Sequence, residues 1–210
     1  MASGKLPECI RLFMGLQTEP ITMIPSLIKD FSISQSEAEV FAAAFDRVNL
    51  KKGERFLSRG QICNRVGFVE SGLLKCVILG NGKSVVDDFI FENQFVANYY
   101  SFLKKEKSNK EITCLKDTVL NVVTRTKLEE LAQDHPFIER IARQVAEKLF
   151  LNTAKKLEDL KLLRAEERYL KLTGINKRVI NEIPQYEIAS YLNVSPETVS
   201  RIRNKMATRS

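Results

Sequence analysis

The stretch QYEIASYLNVSPETVSRIRNK (residues 185–205) contains two amphipathic segments separated by a short polar break. Asn193 stands at the break, where the chain needs a residue that tolerates a left-handed backbone. Ser195 is a good N-cap, and Pro196 is a good first helical residue. Apolar residues recur at helical spacing on both sides, namely Ile188, Ala189 and Leu192 before the break and Val199, Ile202 and Met206 after it. The stretch therefore predicts a helix, a tight turn and a second helix.

The outward face of the second predicted helix is short, polar and basic. Side chains of this kind on an exposed helix can read base edges in the major groove of DNA. We therefore predict a helix-turn-helix that binds double-stranded DNA. The candidate contact residues are Gln185, Ser195, Pro196, Glu197, Thr198, Ser200, Arg201, Asn204 and Lys205.

Basic charge is concentrated in the same part of the chain. The 210 residues include 33 Lys or Arg and 26 Asp or Glu, which gives a net charge of +7. Residues 161–210 hold ten of the basic and five of the acidic residues, a local excess of +5. Clustered basic charge is typical of a surface that binds the phosphate backbone, and a solvated basic surface is the alternative.

Other functional classes are disfavoured by the residues that the sequence lacks. Cys9, Cys63, Cys76 and Cys114 are widely spaced and His135 is the single histidine, so no metal site is predicted. Without a Gly-rich phosphate loop or a nucleophile motif, we do not expect an enzyme. The sequence has no signal peptide and no apolar run of about 20 residues. We therefore expect a cytoplasmic protein with reduced thiols and no membrane partner.

The N-terminal part changes from helical to β-like patterning. Short helical pieces are predicted in residues 1–30, and Ser34 is the predicted cap of a helix over residues 35–47. From about residue 53 to 124, short β-like runs alternate with turns, and Gly80-Asn81-Gly82 is a strong hairpin signal. This pattern predicts a small β-barrel or sandwich-like unit. Examples of these runs are residues 66–69, 73–79, 85–91 and 119–124.

A long helix is predicted over residues 137–160, which contain no Pro or Gly. Its length favours a dimer interface, and packing against its own β-unit is the alternative reading. A further helix is predicted over residues 162–172 and ended by Gly174, followed by a connector of about ten residues. The predicted dimerisation residues are Ile138, Ile141, Val145 and Leu149.

Several motifs in this order resemble the Crp/Fnr family of bacterial transcription regulators. The resemblance covers about residues 30–210, and its glycine pattern is that of the tight turns in a β-roll. Parts of the sequence look like a Bacteroidetes-type subgroup. The motifs are KGE (52–54), Gly60, GFVESGLLK (67–75), ENQFV (92–96), SF (101–102), AEERYL (165–170), PQYEIASYL (184–192) and SPETVSRIR (195–203).

The resemblance implies an α+β fold with an N-terminal cyclic-nucleotide-binding-like β-roll, cupin-like and flanked by helices. A dimerisation helix and a winged helix-turn-helix follow. The implied units are residues 1–126, 127–162 and 163–210, in a homodimer on a pseudo-palindromic site. By resemblance Glu197 and Arg201 contact bases and Thr198 contacts the DNA backbone. Pro196 stands where some members have a further Arg, and the four residues 207–210 leave the terminal β-hairpin absent or truncated.

The resemblance does not extend to a cyclic-nucleotide site. A cyclic phosphate needs backbone N–H groups, usually at a Gly, with an Arg and a hydroxyl. No glycine occurs between Gly82 and Gly174, and no arginine between Arg65 and Arg125. We therefore expect no response to cAMP and no cofactor, although another small-molecule effector stays open. Its candidate pocket residues, which could equally be core, are Phe95, Tyr99, Tyr100, Phe102 and Lys110.

The sequence is compatible with three functional hypotheses. A DNA-binding regulator is favoured, with double-stranded DNA and a second copy of the chain as partners and RNA polymerase as a further candidate. The alternative is a small-molecule, redox or haem sensor. Buried structural thiols are favoured over an iron–sulfur role for the cysteines, and a helix-cap or surface position is favoured over haem ligation for His135. An enzyme is disfavoured.

Overall fold

The structure is a computed structural model that describes residues 23–80, 82–176 and 179–207. Predicted helical pieces before residue 23 lie outside the described residues. The helices are α1 (Met23–Phe31), α2 (Gln35–Ala42), α3 (Tyr99–Lys104), α4 (Arg125–Asp134), α5 (Phe137–Leu162), α6 (Ala165–Ile175), α7 (Val179–Glu182), α8 (Gln185–Leu192) and α9 (Pro196–Ala207).

Eight strands form two antiparallel four-stranded sheets, one in the order β1-β8-β3-β6 and the other in the order β2-β7-β4-β5. The sheets face each other across an apolar core that includes Val69, Leu74, Ile112 and Leu120. This arrangement confirms the predicted β-roll. The strands are β1 (Asp46–Leu50), β2 (Arg55–Leu57), β3 (Arg65–Ser71), β4 (Leu74–Gly80), β5 (Lys83–Ile90), β6 (Phe95–Val96), β7 (Lys110–Cys114) and β8 (Thr118–Thr124).

The predicted hairpin joins β4 to β5, with Gly80 paired to Lys83 and Gly82 at a φ of +72°. The predicted Ser34 cap is also present, because the Ser34 hydroxyl accepts from the backbone N–H of Glu37 and the Glu37 side chain accepts in return. The predicted end of this helix at residue 47 is wrong, since α2 ends at Ala42. From Asp46 the chain forms β1, which pairs with β8, and its exposed and partly buried residues alternate with the period of a strand.

The helix α5 begins and ends close to its predicted bounds, but its two halves have different surroundings. Ile138 and Ile141 are buried against α1, α2 and the β-roll, and Val145 packs at the edge of the same cluster. The second half carries exposed apolar side chains instead. The N-terminal half therefore follows the alternative reading of the sequence, a helix packed on its own β-unit.

Gly174 does not end the next helix as predicted. The helix α6 continues to Ile175, and Asn176 follows it with its N–H donating to Leu172 O. Gly174 has no positive φ, so it adopts an ordinary helical conformation in the last turn. The predicted connector contains one short helix, α7.

The C-terminal helices pack onto the outer face of the β4–β5 hairpin. A single apolar cluster contains hairpin residues such as Val77 and Phe89 together with Tyr169 of α6, Ile188 of α8 and Ile202 of α9. The β-roll and the C-terminal helices are therefore joined by a shared apolar core. The described chain ends in α9, and residues 208–210 lie outside the described residues.

Candidate DNA-binding surface

The helices α8 and α9 form the predicted helix-turn-helix. Asn193 ends α8 in the left-handed conformation, with φ 54° and ψ 48°. Val194 N donates to Ala189 O across the turn at 3.0 Å. At the start of α9 the Ser195 hydroxyl accepts from Thr198 N at 3.4 Å. The turn residue and the cap were thus both correctly predicted from the sequence.

The helix α9 has one buried apolar face and one solvent-facing polar face. Val199 is fully buried and Ile202 is 6% exposed, and both pack against α6 and α8. The predicted contact residues Gln185, Thr198 and Ser200 are half-buried. The exposed contact residues are Ser195, Pro196, Glu197, Arg201, Asn204 and Lys205.

Several of these side chains already have partners within the chain. Gln185 donates through Nε2 to Pro196 O at 2.6 Å, which ties the start of α8 to the start of α9. Lys205 forms an ion pair with Glu166 at 2.7 Å. Within the described residues, Arg201 makes no hydrogen bond or ion pair, so its guanidinium points to solvent with all donors available.

Glu197 is held as a carboxylate. A hydrogen bond with the Ser195 side chain, assisted by its own backbone N–H, lowers the pKa of the Glu197 carboxyl below its usual value. An ionised carboxylate only accepts hydrogen bonds, which suits the amino group of cytosine. The first turn of α9 therefore presents an acceptor at Glu197, followed one turn later by a cationic donor at Arg201.

Arg203 has a role that the sequence did not indicate. Its Nε donates to the Tyr169 hydroxyl at 3.1 Å, and its Nη2 donates to Ile180 O at 3.3 Å. Arg203 therefore anchors α9 to α6 and α7. Only its charge was visible in the sequence, because its partners lie more than 20 residues away.

The first helix of the pair docks on the β-roll through polar contacts at the edge of the apolar cluster. Glu187 is 4% exposed and forms an ion pair with Lys75 of β4. The Ser190 hydroxyl accepts from Val86 N of β5 at 3.0 Å. These contacts fix α8, and through it α9, relative to the β4–β5 hairpin.

The structure does not bring the predicted effector residues together. Phe95 packs edge-on against Phe68 and Phe31 on the α1 side of the roll. Tyr100 is 64% exposed, and Lys110 forms an ion pair with Asp87 at 2.6 Å.

Two of the predicted effector residues do touch each other. The rings of Tyr99 and Phe102 stack at 6.4 Å, and the Arg125 guanidinium lies 4.0 Å from the Phe102 ring centroid. The predicted residues therefore lie in separate environments rather than around one pocket.

In the segment 98–108, polar side chains form hydrogen bonds with one another and with the backbone. Asn98 is buried and donates through Nδ2 to the Ser108 hydroxyl at 2.7 Å. Ser108 donates in turn to Lys110 O at 2.8 Å. Ser101 donates to Glu106 O and accepts from Cys63 N. These contacts satisfy polar groups of the segment within the chain.

The described thiols are buried, as the sequence reading favoured. Burial raises the pKa of Cys63, Cys76 and Cys114, in Cys76 to about 12. Such thiols are largely protonated near neutral pH and therefore poor nucleophiles. Cys9 lies outside the described residues. No group of three or more His, Cys, Asp or Glu in the described part of the chain is placed to hold a metal ion.

His135 occupies a helix end rather than a ligand site. It follows α4 as the C-cap residue, and its backbone N–H donates to Leu131 O at 3.0 Å. Its ring lies 5.6 Å from that of Phe137. This position agrees with the predicted cap or surface role.

Comparison with known proteins identifies the domain and the fold. Residues 47–135 match the protein family described as Cyclic nucleotide-binding domain. The catabolite activator protein of Thermus thermophilus has a TM-score of 0.56 at 19% identity, over 88% of this chain and 87% of that chain. The c-di-GMP-responsive global regulator CLP of Xanthomonas campestris has a TM-score of 0.64 at 17% identity, over 84% and 93%.

A protein from Eubacterium rectale described as a Crp/Fnr-family transcriptional regulator has a TM-score of 0.62 at 15% identity, over 85% of both chains. No curated protein matches the chain by sequence. The resemblance to Crp/Fnr regulators is confirmed for the cyclic-nucleotide-binding domain and for the overall fold. The Bacteroidetes-type subgroup stays a prediction. No helix among the described residues is long and apolar enough to cross a membrane.

Proposed function

We propose that the protein is a DNA-binding transcription regulator that acts as a homodimer on a pseudo-palindromic site. The observation that carries the proposal is the two-faced helix α9. Its apolar side is buried through Val199 and Ile202, while Glu197 and Arg201 face solvent in positions that a major groove could enclose. Such a regulator works where the chromosome is, in keeping with the predicted cytoplasmic location.

Each exposed side chain has a chemical role in this proposal. Arg201 can donate two hydrogen bonds to O6 and N7 of guanine, and Glu197 can accept from N4 of cytosine. Thr198 lies near the helix start and can contact a phosphate, where backbone N–H groups also favour an anion. Arg203 keeps α9 in place but contacts no DNA in this scheme, because its donors are used within the chain.

The homodimer is proposed to use the second half of α5, further along the helix than most of the residues first predicted. Ile138 and Ile141 are buried within their own chain, so a partner cannot reach them. Phe150 is 71% exposed, and Leu157 and Leu160 are each 52% exposed, at spacings typical of a coiled-coil seam. Leu149, at 39% exposure, lies beside this stripe. We place the interface on Phe150, Leu157 and Leu160.

The proposed division of the chain into three parts is the one predicted from the sequence. Residues 1–126 form the roll domain, residues 127–162 the dimerisation segment and residues 163–210 the DNA-binding domain. The boundary at 126 falls inside α4, which begins at Arg125. RNA polymerase stays a candidate partner of the DNA-bound dimer.

We also propose that the protein does not respond to cAMP. The support is the hydrogen-bond network of Asn98, Ser101 and Ser108, which satisfies the polar groups of the segment internally. Arg125 stacks on Phe102 and donates to Cys63 O at 3.3 Å, so it is also engaged elsewhere. An effector of another class would need another site.

The proposed function is tested by selecting bound fragments from genomic DNA and measuring affinity for the enriched duplex and for a scrambled duplex. Arg201→Ala should weaken binding to the enriched duplex by about 10- to 100-fold, as expected for one bidentate base contact. Binding to the scrambled duplex should change far less.

Arg59→Ala is the matched control, because it removes an equally exposed arginine from the β-roll. It should leave both affinities unchanged. Equal losses of Arg201→Ala on both duplexes would show that Arg201 does not read bases. Failure to enrich any sequence would refute the proposed function itself.

A further inference from the structure

A cleft of about 570 Å³ lies where α5, the β5–β6 region, α6 and the end of α8 meet. This size falls within the range of small-molecule sites in proteins. Of the predicted effector residues only Phe95 borders it, so it is separate from the segment around Asn98. Its walls come from the β-roll, the long helix and the DNA-binding helices, so one bound molecule would contact all three parts.

Aromatic side chains border the cleft, and lysines lie over two of their rings, Lys148 over Phe31 at 4.7 Å and Lys156 over Tyr191 at 5.0 Å. The rings of Phe89 and Tyr191 lie 5.5 Å apart, and Phe31 and Phe95 also border the cleft. Burial, followed by the negative charges of Asp88 and Asp87, raises the pKa of Tyr191 to about 12, so its phenol stays neutral. Such a surface accommodates the flat, apolar body of a ligand.

The cleft also carries an excess of positive charge. The cleft is bordered by five basic side chains and three acidic ones, a local net charge of +2. Several of the basic groups are partly neutralised, for example Lys171 by Asp159 at 2.6 Å. The basic residues are Lys148, Lys155, Lys156, Arg168 and Lys171, and the acidic residues are Asp30, Asp88 and Asp159.

Arg168 has hydrogen-bonding capacity left over. Its Nη2 donates to Leu192 O at 2.9 Å, but its buried Nε has no hydrogen-bond partner among the described residues. A buried donor without a partner is destabilising, and a carboxylate or sulfonate at the guanidinium edge would satisfy it. The side chain is half-buried and borders the cleft.

We infer that this cleft is a binding site for a small organic anion with a flat apolar body, held by Arg168 and stacked beside Tyr191. The apolar body lies along the Phe89–Tyr191 wall, and the anionic group faces Arg168 and Lys171. The site rests on the geometry of the described chain and not on the proposed DNA binding, so the two can fail separately.

The test is a fluorescence titration of the full chain, without DNA, with two probes that share a fused aromatic body. 8-Anilinonaphthalene-1-sulfonate has the anion, and N-phenyl-1-naphthylamine lacks it. The sulfonate should saturate one site per chain and bind at least tenfold more tightly than the neutral amine. Arg168→Gln should weaken sulfonate binding about tenfold, the effect of one charge-assisted hydrogen bond, and leave amine binding unchanged.

Two further variants keep the test decisive if Arg168→Gln unfolds, which circular dichroism would show. Asn152→Trp fills the cleft from an exposed position on α5 without changing charge and should weaken both probes. Lys127→Gln removes a cation outside the cleft and should change neither affinity. Equal affinity for both probes, or sulfonate binding that Asn152→Trp leaves unchanged, would overturn the site.

Discussion

Gly72 lies in the turn between β3 and β4 with a φ of +111°, a backbone conformation that residues with a Cβ rarely adopt. A Cβ at this position would lie 2.5 Å from Thr118 Oγ1 and 2.7 Å from Asp117 O. Both the backbone and the space thus require glycine. The same residue was part of the turn pattern in the sequence, which indicated the turn but not the close approach of β8.

Gly72→Ala should therefore lower the free energy of unfolding by about 3 kcal/mol, from backbone strain and steric overlap together. Gly60→Ala is the matched control, because Gly60 has a similar φ of +83° but no atom within 4 Å of its Cβ position. The control should lose only about 1 kcal/mol. Urea unfolding measures the free energy of unfolding of both variants. Equal decreases in the two variants would contradict the steric overlap at Gly72.

Residues whose roles depend on local backbone were predictable, and residues with distant partners were not. Asn193 and Ser34 were assigned correctly because a turn or cap needs only neighbouring residues. The bond from Gln185 to Pro196 O was not predicted, and the DNA contact of Gln185 stays a prediction. Arg203 and Arg168 took their roles from contacts more than 20 residues away. Such contacts leave no periodic signal in a single sequence.

At the scale of elements, the helix α8 has two faces with two tasks. One face supports α9 through the apolar cluster, and the other docks on β4 and β5. Glu187 lies in this docking face as a buried carboxylate and forms an ion pair with Lys75. The ion pair is partly shielded from solvent, so it should contribute more than a surface pair does.

A double-mutant cycle with Lys75→Met and Glu187→Gln should give a coupling energy of about 1–2 kcal/mol in thermal or urea unfolding. The control cycle uses Lys51 and Asp117, which form a 3.0 Å ion pair with side chains 77% and 64% exposed. That coupling should be too small to measure, because both side chains are largely exposed to solvent. Equal coupling energies in the two cycles would show that the Lys75–Glu187 pair stabilises the fold no more than an exposed pair does.

Element types followed from sequence periodicity, whereas element ends depended on tertiary pairing. The four named β-runs correspond to β3, β4, β5 and β8, and the long helix was also placed correctly, whereas β1, β2, β6 and β7 were not named in advance. The end of α2 was missed because β1 is defined by its pairing with β8, which the sequence does not display. The end of α6 differs from the prediction by only one residue, since the helix ends at Ile175.

At the scale of the whole molecule, the exposed apolar stripe on α5 is what a single chain leaves uncovered. Phe150, Leu157 and Leu160 lie on the solvent side of a helix whose first half is packed on its own roll. A second copy would cover the stripe, and the two α9 helices of the dimer would be related by a two-fold axis. The sequence indicated a dimer helix, but its apolar positions could not show which face the roll would cover.

Phe150→Glu should convert the dimer to monomer at micromolar concentration, because it places a charge in the apolar seam. Sedimentation velocity would measure this change, and affinity for the enriched duplex should fall by at least about 100-fold when the two half-sites are no longer bound together. Leu170→Glu makes the same kind of change at a 46% exposed leucine of α6 and should leave the dimer intact. If the Phe150→Glu protein stays dimeric, the dimer interface does not include Phe150.

The central claim is that two copies of α9 enter successive major grooves of one duplex. Hydroxyl-radical footprinting on an enriched genomic fragment measures this directly. We expect two symmetric patches of protection whose centres lie about 10–10.5 base pairs, or about 34 Å, apart on one side of the helix. A single patch, or uniform protection without defined borders, would contradict the claim.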